Sequence, residues 1–426
     1  PKRVDRRSAL PAPRPGVFED LRKGSGAQEA STTMAFGRLL RDILRDKGFG
    51  RFVVPIIPDE ARTFGLDALF RQVGIYAPFG QLYESVDAHL LLSYTESQQG
   101  QILEEGITEA GSMASFIAAG TSYATWNEPT LPFFIFYSMF GFQRVGDLVW
   151  QAGDARARGF MLGATAGRTT LNGEGLQHQD GHSLVLASVV PNLRAYDPAF
   201  AFELGLIIED GIRAMTGESP QDVFYYLTLY NENYAQPPMP DGAEDGVLRG
   251  LYRFSGGPDG GRRRATVLFS GTAWRAAIDA QRMLTEEWDT SVECWSATSY
   301  KALREEALDA ERWNRLHPAQ PPRTPYVTEA LSAAQGPVVA VTDFMKMVPD
   351  QISRWVPRRL VPLGTDGYGR SDTRRALRRH FETDAQHVVV AVLSALADAG
   401  EATPAEVAEA IARYEIDPDS PDPRTA

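Results

Sequence analysis

Short apolar runs alternate with segments of helical spacing along most of the chain, and this alternation limits the fold more than any other feature. Residues 52–57, 132–137, 160–163 and 222–228 have strand length and are rich in β-branched and aromatic side chains. Residues 266–270, 291–295 and 338–342 repeat the pattern. The run 132–137 is apolar throughout, as expected of a strand buried on both faces. Between the runs lie helical patterns. Ser31-Thr32-Thr33 offers an N-cap, and Met34, Leu39, Leu40, Ile43 and Leu44 follow at helical spacing, with Gly48 and Gly50 as stop signals. Trp274, Ala277, Ile278 and Met283 share a second face, with Thr272 placed to cap it. Thr403-Pro404-Ala405-Glu406 is a capping box with Pro at the first helical position. Helices interleaved with strands imply an α/β layer fold.

A chain of 426 residues exceeds one ordinary domain. A stretch rich in Pro, Gly and Asp over 235–263 marks a boundary. The expected organisation is a Pro- and Arg-rich linker over 1–30, an α/β domain over 31–240, a connector over 241–263 and a second α/β domain over 264–426. The net charge of -12 argues against a nucleic-acid partner, because a polyanion needs a basic footprint. No apolar run approaches the roughly 18–20 residues that span a bilayer, so no membrane partner is expected. The single cysteine, Cys294, rules out an internal disulfide framework and fits a reducing compartment such as the cytoplasm. Its strand-like surroundings predict a buried structural thiol.

Three polar clusters stand out from the core pattern. Residues 169–183 hold His178 and His182, which are two of the six histidines, with three glycines and several amides. Glycines allow close backbone approach to a ligand, and histidine works as acid, base or donor near neutral pH. The spacing of His178 and His182 is that of some zinc-binding helices, but Gly181 disfavours a helix there. Glu104, Glu105 and Glu109 form the second cluster. Glu105 and Glu109 would share a helical face, and small residues behind Glu109 favour its burial. The third cluster runs from Phe136 through Asp147. Tyr137 can donate a hydrogen bond, Phe140 can stack on a flat ring, and Arg144 and Asp147 are expected to pair. At the end of the 52–57 strand, Asp59, Glu60 and Arg62 suggest a site at the carboxyl edge of a parallel sheet.

Asp59-Glu60-Ala61-Arg62-Thr63-Phe64-Gly65, Tyr137-Ser138-Met139-Phe140-Gly141-Phe142-Gln143-Arg144 and residues 169–183 together resemble the bacterial homodimeric type of pyruvate dehydrogenase E1 component. So do Asn231-Glu232-Asn233-Tyr234 and Gly364-Thr365-Asp366-Gly367-Tyr368-Gly369-Arg370-Ser371-Asp372, and the likeness runs from Ser31 to the end. The resemblance implies two transketolase-like three-layer α/β domains: a pyrimidine-binding domain that takes thiamine diphosphate, and a C-terminal domain. It implies that Glu109 hydrogen-bonds the aminopyrimidine ring and that Phe140 stacks on it. Tyr137 and His178 resemble groups facing the substrate-derived adduct. Asp59, Glu60 and Arg144 resemble polar groups near the cofactor and subunit interface, and the role of His182 stays open. The family's Gly-Asp-Gly signature for Mg2+ and the diphosphate does not occur in the sequence. Those ligands are therefore expected from an N-terminal diphosphate-binding half or an α-like subunit, in a dimer or α2β2 heterotetramer. The implied reaction decarboxylates pyruvate and passes the acetyl unit to a lipoyl-bearing E2 acyltransferase. Another thiamine-diphosphate carboligase or decarboxylase, a non-catalytic assembly subunit and a zinc hydrolase are the competing readings.

Overall fold

The computed structural model describes residues 9–426 except Asp59, Glu60, Arg62, Asp67, Ser85, residues 87–93, Asp259 and the side chain of Ala68. The chain divides into two compact units. The first takes in the described residues up to Ala166, with Leu186–Ala195 and Phe200–Met239; the second holds Gly167–Val185, Tyr196–Ala199 and Pro240–Ala426.

The first unit is built on a six-stranded sheet. Its strands are β1 (Val53–Ile57), β2 (Leu103–Glu104), β3 (Leu131–Tyr137), β4 (Phe160–Ala164), β5 (Leu193–Tyr196) and β6 (Phe224–Leu229), in the order β2-β1-β3-β4-β6-β5. β1 pairs in parallel with β2 and β3, β3 with β4, and β4 with β6. Every residue of β4 and β6 is buried, as is β3 up to Phe136, so the apolar runs pack on both faces of the sheet. The Phe133 and Phe160 rings stack at 4.7 Å across the β3–β4 pairing. The helices that matter most here are α1 (Gly16–Arg22), α2 (Thr32–Leu44), α3 (Glu109–Gly120), α4 (Phe142–Asp154) and α5 (Ala201–Thr216). The Ser31 side chain caps α2, accepting from the Met34 N–H. That helix ends at Leu44, before either glycine stop.

The second unit carries a five-stranded sheet of β7 (Tyr252–Ser255), β8 (Arg263–Phe269), β9 (Thr290–Ser296), β10 (Val338–Val341) and β11 (Leu360–Leu363), ordered β7-β9-β8-β10-β11. β7 is antiparallel to β9, and the other pairings are parallel. Against this sheet pack α6 (Trp274–Trp288) and α7 (Ala385–Asp398), with α8 (Pro404–Arg413) on α7. The capping box at Thr403 forms: Thr403 N–H donates to Glu406, and the Glu406 N–H donates back to the Thr403 hydroxyl.

Several sequence expectations need correction. Within the expected linker 1–30, residues 16–22 form α1, whose Phe18 is buried and which packs on α2 and α5. Its apolar residues are too few to show a period among the prolines and arginines. The expected connector 241–263 is likewise folded in part. It contains a helix, Glu244–Arg249, and β7, with Val247, Leu251 and Tyr252 buried. Turn residues on either side hid this short segment. Segment 167–185, expected inside the 31–240 domain, belongs to the second unit. Thr272 does not cap α6, whose N-cap is Ala273 without a side-chain hydrogen bond. A 3-10 turn over Gly271–Ala273 carries the chain into the helix instead.

Cys294 lies in β9, fully buried, and burial, with Glu293 adding to it, pushes its thiol well above the ordinary range. Only the thiolate attacks disulfides. The folded chain should therefore fail to react with an aromatic disulfide reagent at pH 8, and one thiol per chain should appear when denaturant is added. Rapid labelling of the native protein would contradict this burial.

Candidate active site

Parallel strands deliver their following loops to one edge, and two of the sequence clusters gather there. β1 ends at Ile57, β2 at Glu104 and β3 at Tyr137. Just beyond β2, the Glu105 N–H donates to the Ile57 carbonyl at 3.1 Å. Four residues later α3 begins. Its N-cap is Thr108, whose hydroxyl accepts from the Gly111 N–H at 3.2 Å. Glu109 is thus the first residue of the helix, where the dipole favours an acid. Glu105 lies outside the helix and accepts from the Ser115 hydroxyl, so the expected shared helical face with Glu109 does not form.

Beyond β3 a 3-10 turn, Ser138–Phe140, leads through Gly141 into α4. This places Arg144 against Glu109: its Nη1 donates to Glu109 Oε2 at 3.0 Å. The carboxylate is nearly buried, whereas the guanidinium is half exposed, with side-chain exposures of 9% and 48%. Arg144 also lies over the Phe140 ring, 3.9 Å from its centroid. Phe140 meets the Tyr137 ring edge-on at 6.0 Å, and the Phe64 ring lies tilted 5.2 Å from that of Tyr137. The expected Arg144–Asp147 pair is replaced by Arg144–Glu109, because the turn directs Arg144 toward α3; Asp147 instead accepts from the Leu148 N–H at 2.9 Å.

Four of the sequence candidates, Glu109, Tyr137, Phe140 and Arg144, therefore form one cluster on the first unit. Asp59 and Glu60 lie outside the described residues. His178 and His182 belong to the second unit. His178 Nδ1 is 3.7 Å from Glu174, while His182 Nδ1 is 3.9 Å from Asp180, so the two rings face different acids. Among the described residues no group of three or more His, Cys, Asp or Glu could hold a metal ion.

The segment around the histidines is fixed by its neighbours within the second unit. The Thr169 N–H donates to both oxygens of Asp343, at 3.0 and 3.3 Å. Gln179 exchanges hydrogen bonds with the Arg370 backbone in both directions. The Gly181 carbonyl accepts from the Met345 N–H at 2.8 Å. Asp180 accepts from the His182 and Ser183 N–H groups, both at 2.9 Å. Arg168 is buried among Asp180, Asp343 and Asp366; burial lowers the pKa of its guanidinium, and the three acids oppose that shift. Sequence reasoning assigned no role to Phe64, Thr108 or Asp343. Phe64 was visible inside a matched motif and Thr108 as a cap before a helical run, but nothing local marks Asp343.

The comparisons with known proteins bear on this arrangement. The profile of the pyruvate dehydrogenase E1 component middle domain matches residues 13–237, more than half of the chain. The chain belongs to the pyruvate dehydrogenase E1 component family. The transketolase-like C-terminal domain profile matches residues 250–384. A protein named pyruvate dehydrogenase E1 component from Pseudomonas aeruginosa is 53% identical over 99% of this chain and 48% of its own length. Its namesake from Mycobacterium tuberculosis is 54% identical over 98% of this chain and 45% of its own. The chain thus spans about half the length of the curated relatives it matches. Among solved structures, transketolase from Leishmania mexicana aligns with a TM-score of 0.63 at 17% identity, covering 89% of this chain and 47% of that one. A structure titled split gene transketolase, inactive beta4 tetramer, aligns with a TM-score of 0.57 at 18% identity, covering 87% of this chain and 99% of that one. At these identities the likeness establishes the transketolase-like fold.

The turn that sets Phe140 and Arg144 in this E1-family chain leaves no room at Gly141. A Cβ there would sit 2.2 Å from the Phe136 ring, which is fully buried. Gly141→Ala should destabilise the fold by about 1–3 kcal/mol through overpacking. Denaturant unfolding followed by circular dichroism measures this, and an unchanged midpoint would show that the Phe136 ring can yield.

Proposed function

We propose that this chain supplies the pyrimidine-binding and C-terminal parts of a thiamine-diphosphate-dependent pyruvate dehydrogenase E1. The observation that carries the reading is the nearly buried Glu109 carboxylate, set at the carboxyl edge of the sheet in a cluster with Phe140 and Tyr137. An aminopyrimidine presents apolar faces and ring-edge nitrogens, and these residue types fit both. Glu109 Oε2 is held by Arg144, while Oε1 has no hydrogen-bond partner among the described residues and can take a ring nitrogen. Arg144 covers one face of Phe140, so stacking uses the other. When bound, thiamine diphosphate supplies the carbon nucleophile and electron sink that 2-oxo acid decarboxylation needs.

Within that chemistry the chain's own groups have separable tasks. Glu109 holds a proton between Oε1 and the ring nitrogen. Arg144 fixes the carboxylate through its other oxygen. Tyr137 and Phe64 exclude water from one side of the cluster, and the Tyr137 hydroxyl orients the substrate; for His178 the family resemblance suggests a substrate-facing role. The diphosphate and Mg2+ are held by the part of the relatives that this chain does not span, whether it is joined to this chain or separate. Pyruvate is the substrate, and a lipoyl group on an acyltransferase partner accepts the acetyl unit.

Calorimetric titration of thiamine diphosphate with Mg2+ should show strong binding only after the amino-terminal half of the Pseudomonas aeruginosa relative is added. In that mixture Glu109→Gln should cut pyruvate turnover by roughly 10²–10⁴-fold, the range for loss of a positioned proton-transfer group. Undiminished turnover would reject the role of Glu109. Tight binding to the chain alone would reject the division of the cofactor site.

A further inference from the structure

In the second unit a cleft of about 670 Å³ opens between α6, the start of α7, a short helix at Arg374–His380 and the chain near Tyr414. Six arginines line it: Arg275, Arg282, Arg374, Arg375, Arg378 and Arg379. Three carboxylates share the wall, Asp279, Asp384 and Glu415, and no lysine does. Excess positive charge in one cleft runs against a chain whose net charge is -12. Like charges brought together in a concave, low-dielectric wall repel, and a bound anion relieves that repulsion.

Two of the six arginines are paired with acids, Arg379 with Asp384 and Arg282 with Glu286. Asp384 already receives Arg379 Nη1 at 3.3 Å and His387 Nδ1 at 2.6 Å, and its other task is to cap α7. Burial disfavours its charge, but the His387 and Arg379 contacts outweigh that and hold its carboxyl below the usual range. Arg379 also donates from Nη2 to the Tyr414 and Glu415 carbonyls, which fixes the plane of its guanidinium. Arg374 is anchored through Nε to the Thr170 carbonyl at 2.8 Å, and Arg378 through Nε to the Thr169 hydroxyl at 3.3 Å. Among the described residues Arg275, Arg374 and Arg375 have no carboxylate partner; Arg275 instead lies 5.5 Å from the Trp274 ring. The cleft therefore combines braced guanidinium groups with uncommitted ones.

We propose that this cleft binds a small polyphosphate. Planar guanidinium forks match phosphate oxygens in paired, charge-assisted hydrogen bonds, and exclusive use of arginine favours that geometry over simple charge attraction. The volume is that of a small-molecule site and exceeds what a single phosphate fills. Met283, Ala276 and Tyr414 give part of the wall an apolar character, which suits an organic group attached to the phosphate chain.

The test is calorimetric titration of the whole chain, without thiamine diphosphate or Mg2+, with inorganic triphosphate, with ATP and with citrate in parallel. The two polyphosphates should saturate one shared site, and citrate should bind at least ~10-fold more weakly. Tighter binding of ATP would assign a nucleotide, and equal binding would assign the phosphate chain alone. Arg275 and Arg375 are both exposed, so Arg275→Gln with Arg375→Gln should keep the melting temperature while weakening triphosphate at least ~10-fold. Arg375→Gln alone provides the same reading if the double variant melts early. Arg253→Gln, outside the cleft, should leave binding intact. Absence of saturable heat, citrate binding as tightly as triphosphate, or affinity unmoved by the cleft variants would overturn the proposal.

Discussion

Parallel pairing of β3 with β1 on one side and β4 on the other is the constraint from which the candidate site follows. Strands that run the same way must all hand their loops to the same edge, so residues far apart in sequence arrive together. Glu109 follows β2, Phe140 and Arg144 follow β3, and Phe64 follows β1, yet the four lie in one chain of contacts. The sheet can hold this edge because its interior is full. Phe133, Phe134, Phe136 and Phe160 are fully or almost fully buried, with ring contacts at 4.6 and 4.7 Å. Packing of that density transmits any shift of β3 directly to the turn that carries Phe140.

A different constraint governs the histidine segment. Its polarity and glycines gave it the look of a ligand-binding loop, but many of its polar groups are spent within the second unit. Thr169, Gln179, Asp180 and Gly181 bond to Asp343, to the Arg370 backbone, to their own turn and to Met345. Such anchoring does not compete with a role for His178. A side chain that must orient a substrate benefits from a backbone that cannot move, and here the surrounding amides and acids supply that rigidity.

What could be read from the sequence divides along physical lines. Runs whose signal is local were legible: β3, β4 and β10 were visible as apolar stretches, and the caps at Ser31 and Thr403 were visible as residue types in fixed positions. The cluster residues Glu109, Tyr137, Phe140 and Arg144 were picked out by type and by family resemblance. Their pairing was not, because Arg144 meets an acid 35 positions away rather than Asp147 three away. The α1 helix was missed because its stabilisation is tertiary: Phe18 is buried against other elements while the local sequence reads as Pro- and Arg-rich linker. The assignment of segment 167–185 to the second unit rests on partners such as Asp343, 174 positions away, which no local pattern can announce.

The energetics of Arg144 argue that its value is geometric. An ion pair with one half-exposed partner contributes only about 0–1 kcal/mol, since water screens the charge and ordering a long side chain costs entropy. Its cation–π contact with Phe140 adds a similar amount at an exposed site. Neither term matters much to a chain of this size. Together, however, they tie the carboxylate at the start of α3 to the aromatic ring at the end of β3. Those two groups stand on different elements. A weak contact that fixes two groups from different elements relative to one another is the arrangement expected where orientation, rather than stability, is the requirement.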